Sequence, residues 1–206
     1  MLTDTFLKLV SKYNPDKALA NDLWLEIFTK YSEPKRHYHT ISHLENLIAD
    51  LTAVQHLIAD WETTLFAIYY HDVIYKATSS TNEEDSAKIA TDRLTQIGYP
   101  EDKIKKCHAM ILATKLHEPS KEADTNLLID TDLAILGEKP EEYQLYSENV
   151  RKEYSIYPDF LYNPGRKKAL QHFLNMKTIY NTDYFIKKYE KQARINIENE
   201  LDDLQT

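Results

Sequence analysis

Apolar residues recur at helical steps of three and four along most of this chain, and few residues that interrupt helices lie among them. Leu44, Leu47, Ile48, Leu51 and Val54 share one face, Trp61, Leu65 and Ile68 another, and Ala87, Ala90, Leu94 and Ile97 a third, which Gly98 and Pro100 terminate. Only three glycines occur in 206 residues, while Leu, Ile, Ala, Lys and Glu run throughout, a bias toward helix over sheet. Strand-like alternation, internal repeats and low-complexity linkers are absent. The expectation is an all-α fold, with further helices over about 101–116, 125–136, 140–156, 165–180 and 182–204. KATSSTNEE, KLHEPSKEADT and YPDFLYNPGRKK read as loops, and Pro164-Gly165 is the clearest break. A chain of this length suits one domain over residues 1–206: a helical core over about 30–140 and a C-terminal helical appendage over about 141–206.

Charge narrows the partners. With 33 acidic and 25 basic residues the net charge is −8, which argues against a dedicated nucleic-acid surface and leaves small phosphorylated ligands open. No run approaches the roughly 18 apolar residues of a membrane helix. The N-terminus MLTDTFLKLV carries acid where a signal peptide carries base, and the single Cys107 cannot form an intramolecular disulfide. A soluble, cytoplasmic protein without a membrane partner is expected.

Three stretches then stand out chemically. In RHYHTISHLENL three histidines lie within seven residues before an amphipathic helix. His39 and His43 have the i, i+4 spacing of a zinc-protease motif, but Thr40 stands where that motif needs glutamate, so this reading fails. In LFAIYYHDVIY an apolar run meets His71-Asp72, an imidazole and a carboxylate that are costly to bury without a partner. A shared cation supplies one; a helix end at which Asp72 caps the next segment and His71 packs is the alternative. In NLLIDTDLAILG the helical spacing puts Leu128, Ile129, Ile135 and Leu136 around Asp132, so Asp132 is expected to be buried and Asp130 to point partly away. His56 and His172 read as ordinary structural residues, and His37 as a surface or structural one.

His43, His71-Asp72 and Asp132, in this order, resemble the H…HD…D signature of the HD-domain superfamily of metal-dependent phosphohydrolases. RHYHTISH, HDVIY, NEEDSA, ILATKLH, DTDLAILG, EYSIY and NPGR are similar to one bacterial branch of that superfamily, the predicted HD phosphohydrolases. The resemblance implies an all-α helical bundle in which His43 opens one helix, His71 and Asp72 end the next and Asp132 comes from a later one. It also implies that these four residues hold one divalent cation: Mn, Co, Ni, Fe, Zn or Mg. Two imidazoles and two carboxylates form a mixed nitrogen and oxygen set that leaves room for water and a substrate oxygen, and such a cation both ionises water and polarises a phosphoryl group.

The departures from the pattern are informative. Glu83 in NEEDSA stands where two-metal members carry a histidine, which disfavours a second all-histidine site, although His117 ends ILATKLH where other members often carry a ligand. Glu83 is then a candidate for the general base, with a helix-start acid as its alternative. HDVIY replaces the commoner HDIGK. Arg36 and His39 are expected to bind the substrate phosphate or to orient the metal ligands. Lys115 and His117 border a polar loop, Arg151 lies in VRKEY, and Arg166 lies with Lys167 and Lys168 at an expected helix start; all are candidates for neutralising a phosphate. The expected function is hydrolysis of a phosphate ester or anhydride in a small metabolite, a nucleotide first. A metal or nucleotide sensor without turnover is the alternative, and a di-iron oxygenase would need more ligands than the sequence offers.

Overall fold

The computed structural model describes residues 2–204. Ten α-helices occur among them, with no strand: α1 (Leu2–Ser11), α2 (Lys17–Tyr31), α3 (Ile41–Ala53), α4 (Trp61–Tyr70), α5 (Asn82–Gln96), α6 (Glu101–Ala113), α7 (Ala123–Asp132), α8 (Pro140–Glu153), α9 (Asp159–Asn175) and α10 (Asp183–Asp203). Two 3-10 turns, Gln55–Leu57 and Ala134–Gly137, join them. The fold is all-α. Two compact units divide the chain inside α7, Met1–Leu128 and Ile129–Thr206.

The first unit is built around α4, whose residues are buried from Thr63 to Tyr70. A helix that is apolar on every side can persist only where other helices cover all its faces. Here α3, α5 and α6 pack on it, and Phe6 of α1 meets Tyr69 edge-on with ring centroids 4.9 Å apart. Its start is doubly anchored. Asp60 caps it through the Thr63 amide, and the Asp124 carboxylate accepts the amides of Ala59 and Asp60 and the Lys106 ammonium. Burial alone would raise the Asp124 pKa, but these three donors outweigh it and hold the carboxyl below its ordinary range. The expected stop after α5 is present: Gly98 at φ +76° takes the left-handed conformation, and the Gly98 and Tyr99 amides return to Thr95 and Leu94.

In the second unit α10 packs against the Ala134–Gly137 turn and α9. Asn196 of α10 donates to the carbonyls of Leu136 and Glu138. Arg166 forks onto Glu200 at 2.7 and 2.9 Å, and Tyr143 donates to the same carboxylate. Arg166 is therefore not at a helix start as expected. Helix α9 begins at Asp159 and runs through Pro164, so the break read at Pro164-Gly165 is absent. Proline is tolerated there because it sits near the N-terminal end, where only the carbonyl of exposed Phe160 loses its helical donor.

Two glycines give opposite expectations. A Cβ on Gly137 would lie 2.5 Å from Tyr189 Cβ and 2.7 Å from its carbonyl oxygen, whereas one on Gly165 would meet nothing within 4 Å. Gly137→Ala is expected to destabilise the chain by about 1–3 kcal/mol through overpacking against α10 backbone. Gly165→Ala, inside α9, is expected to stabilise it by about 0.5–1 kcal/mol. Thermal unfolding of the two variants checks both signs.

Candidate metal centre

The end of α4 places the central pair. His71 caps the helix, and its Nδ1 lies 2.8 Å from the Ile68 carbonyl oxygen. A carbonyl only accepts, so Nδ1 carries a proton, and it is Nε2 that can present a lone pair. Nε2 lies 3.3 Å from His43 Nε2 and 3.1 Å from Asp72 Oδ2. His43 comes from the first turn of α3; it is 4 % exposed, and His71 is 1 % exposed. Two ring nitrogens and a carboxylate at such distances, largely out of water, are compatible only with a proton or a cation between them. A backbone carbonyl fixing the remote nitrogen is also how metal-ligating histidines are usually oriented.

Asp132 completes the set. One ligand atom from each of His43, His71 and Asp132 lies within 4.8 Å of the other two, the one such cluster among the described residues. These three residues could hold a metal ion, and the donor types fit one: two imidazole nitrogens and a carboxylate oxygen suit a divalent transition metal. Asp72 joins through its contact with His71 and lies outside that closest set.

The burial expected of the DTD pair is reversed. Asp130 is fully buried, and Asp132 is only half-buried. Helix α7 stops at Asp132, so Ile135 and Leu136 fall in the following 3-10 turn and not on the face of Asp132. Asp130 is covered by Asn181 and Thr182, whose amides donate to its two oxygens at 2.7 Å each, with the Thr182 hydroxyl at 2.6 Å. Burial raises the pKa of Asp130, and these donors oppose the shift.

The remaining candidates are placed as follows. His39 stacks on Tyr75 with ring centroids 4.0 Å apart, and its Nε2 lies 3.8 Å from Asp72 Oδ2. Arg36 is buried, with its guanidinium on backbone carbonyls. Glu83 lies in the first turn of α5, 4.0 Å from Lys115 Nζ. Lys115 is held by Glu84 at 2.5 Å and the Ser80 carbonyl at 2.6 Å. His117 has φ +54°, unusual for a residue with a side chain, and lies just beyond the end of α6. Arg151 bonds Asp159 and the carbonyls of Tyr154 and Tyr157, joining α8 to the start of α9. Arg166 is bound by Glu200.

Sequence reasoning missed Tyr31 and Ser86. The Asp72 amide donates to Tyr31 Oη at 3.2 Å, and Ser86 Oγ accepts from the Ile74 amide at 3.0 Å. Ser86, in NEEDSA, is a buried hydroxyl on an otherwise apolar helix face, and that is the signal that could have found it.

Comparisons with protein-family models, with curated proteins and with solved structures gave no match to this chain. No helix among the described residues is long and apolar enough to cross a membrane.

The two carboxylates of DTD should separate cleanly. Asp130→Asn places an NH₂ group against amide donors and is expected to cost roughly 1–3 kcal/mol of stability. Asp132→Asn is expected to leave the melting temperature of the metal-free protein nearly unchanged and to weaken Mn²⁺ retention. Melting curves and equilibrium dialysis on the same preparations check the pair.

Proposed function

We propose that this chain is an HD-type metal-dependent phosphohydrolase acting on a phosphate ester or anhydride of a small metabolite, with nucleotides the first class to test. The observation that carries the reading is the convergence of His43 Nε2 and His71 Nε2, 3.3 Å apart, with the Asp132 carboxylate. A divalent cation there would supply Lewis acidity toward a phosphoryl oxygen and lower the pKa of water.

The chain's own residues have defined tasks in this reading. The Ile68 carbonyl holds the His71 ring in one tautomer, so Nε2 stays available as a ligand. Asp72 lies against that nitrogen and adds negative charge that would help balance a divalent cation. Glu83 precedes Ser86 by one turn on α5, and Ser86 bonds residue 74 just after the His-Asp pair, so Glu83 shares the helix face that looks on this turn. It is our candidate for accepting the proton of the attacking water.

One observation favours the sensor reading. Arg36, Arg151 and Arg166 are committed to carbonyls or carboxylates, and Lys115 to Glu84, so the expected phosphate-neutralising cations already have partners. A screen of generic phosphoesters and nucleotides with and without Mn²⁺ distinguishes the two. Turnover that depends on Mn²⁺ and is lost on replacing His71 and Asp72 together supports the enzyme; retained metal with no turnover supports the sensor. For a phosphoester that is turned over, Glu83→Gln is expected to keep fold and metal while lowering kcat by roughly a hundredfold or more. Full activity in that variant would remove Glu83 from the mechanism.

A further inference from the structure

The backbone immediately after His71 is held by side chains from three separate segments. The amide of Asp72 bonds Tyr31 at the end of α2, the carbonyls of Asp72 and Val73 accept from Arg36, and both the amide and the carbonyl of Ile74 bond Ser86 of α5. Arg36 stands apart from the other two. Its Nη1 donates to the Asp72 carbonyl at 2.7 Å and also to the His39 carbonyl at 3.3 Å, and its Nη2 to the Val73 carbonyl at 3.1 Å. It therefore ties the segment leading to His43 directly to the turn that carries His71 and Asp72. The guanidinium lies over the Tyr31 ring at 4.9 Å and the Tyr75 ring at 5.6 Å, and the residue is only 6 % exposed. Its Nε is buried without a hydrogen-bond partner, so the three carbonyls and two rings set the orientation of the fork.

We propose that Arg36 is a positioning residue for the metal-ligand pair, fixing the separation of His43 and His71 through the backbone, and that it is not a phosphate ligand. Three points support this. A buried guanidinium loses much of its value as a landing site for an incoming anion, because three of its four Nη N–H groups are already engaged by carbonyls. Carbonyls just beyond a buried helix end need donors, and a planar fork can serve adjacent ones where a lysine ammonium serves a single point. The third carbonyl, at His39, is four residues before His43, so a shift of the guanidinium moves the His43 helix start relative to the His71 turn.

The inference rests on the metal reading of the site, and its test separates the two. Co²⁺ affinity is measured by titration calorimetry on wild type, Arg36→Met and Arg36→Lys, with circular dichroism as the check on folding. Long-range ¹H–¹⁵N spectra of the histidine rings are recorded on the metal-free proteins. Positioning predicts that folded Arg36→Met binds Co²⁺ at least tenfold more weakly, that Arg36→Lys falls between, and that the Nδ1–H pattern of His71 is lost or averaged in Arg36→Met. A merely structural arginine would lower the melting temperature while leaving the Co²⁺ affinity and the His71 pattern of the folded variant at wild-type values, and that result overturns the proposal. If wild type takes up no Co²⁺, the metal reading fails, and the His71 pattern alone decides whether Arg36 positions the ring. If Arg36→Met does not fold, Arg36→Lys is judged by the same two readouts: wild-type affinity and pattern overturn the proposal, and a change in both supports it.

Discussion

Helix α4 is buried to its last residue, and the chemistry of the candidate centre follows from that constraint. A helix ending at the surface leaves its last carbonyls to water; one ending inside the fold must find donors in the protein. Here the Ala67 carbonyl accepts the His71 amide, that of Ile68 the His71 imidazole and that of Tyr70 the Val73 amide, while the guanidinium of Arg36 serves the carbonyls of Asp72 and Val73 just beyond the helix. Satisfying the helix end thus determines which nitrogen of His71 faces outward. The same bond that completes the helix leaves Nε2 facing His43, so structural need and ligand geometry are two consequences of one arrangement.

The DTD pair divides labour in a comparable way. Two residues apart on α7, Asp130 bonds the Asn181–Thr182 segment just before α10, while Asp132, at the helix terminus, is left half-buried and able to approach the two histidines. A carboxylate that already accepts several short hydrogen bonds has little capacity left for a metal. One with partial access to water can exchange that water for an ion at lower desolvation cost.

Much of the fold was legible in the sequence, and each failure has a physical cause. Helical spacing located α3 to α8 and α10 because burial of a helix face is periodic and local, and the stop at Gly98 followed from residue type, while α1 and α2 went unread and α9 starts earlier than expected. His71 stood out because a polar group amid apolar residues needs a partner, whereas His43 and Asp132 were singled out by the family resemblance, Asp132 also by a burial that the structure reverses; the three form a group that could hold a metal ion. The burial of Asp130 was not legible because its cover comes from Asn181 and Thr182, some fifty positions away. The partners of Arg36 and Arg151 were hidden because they are backbone carbonyls, which leave no trace in residue identity; Glu200, the partner of Arg166, lies far along the chain. Pro164 misled because a proline near a helix start is compatible with the helix, and the sequence alone did not show that α9 had already begun.

Joint binding of one divalent ion by His43, His71 and Asp132 is tested by anomalous diffraction from crystals grown with Mn²⁺. A single strong anomalous peak is expected within coordination distance of His43 Nε2, His71 Nε2 and an Asp132 oxygen, about 2.0–2.3 Å from each. No peak there at saturating Mn²⁺, or a strong peak elsewhere that leaves the two imidazoles uncoordinated, would contradict it.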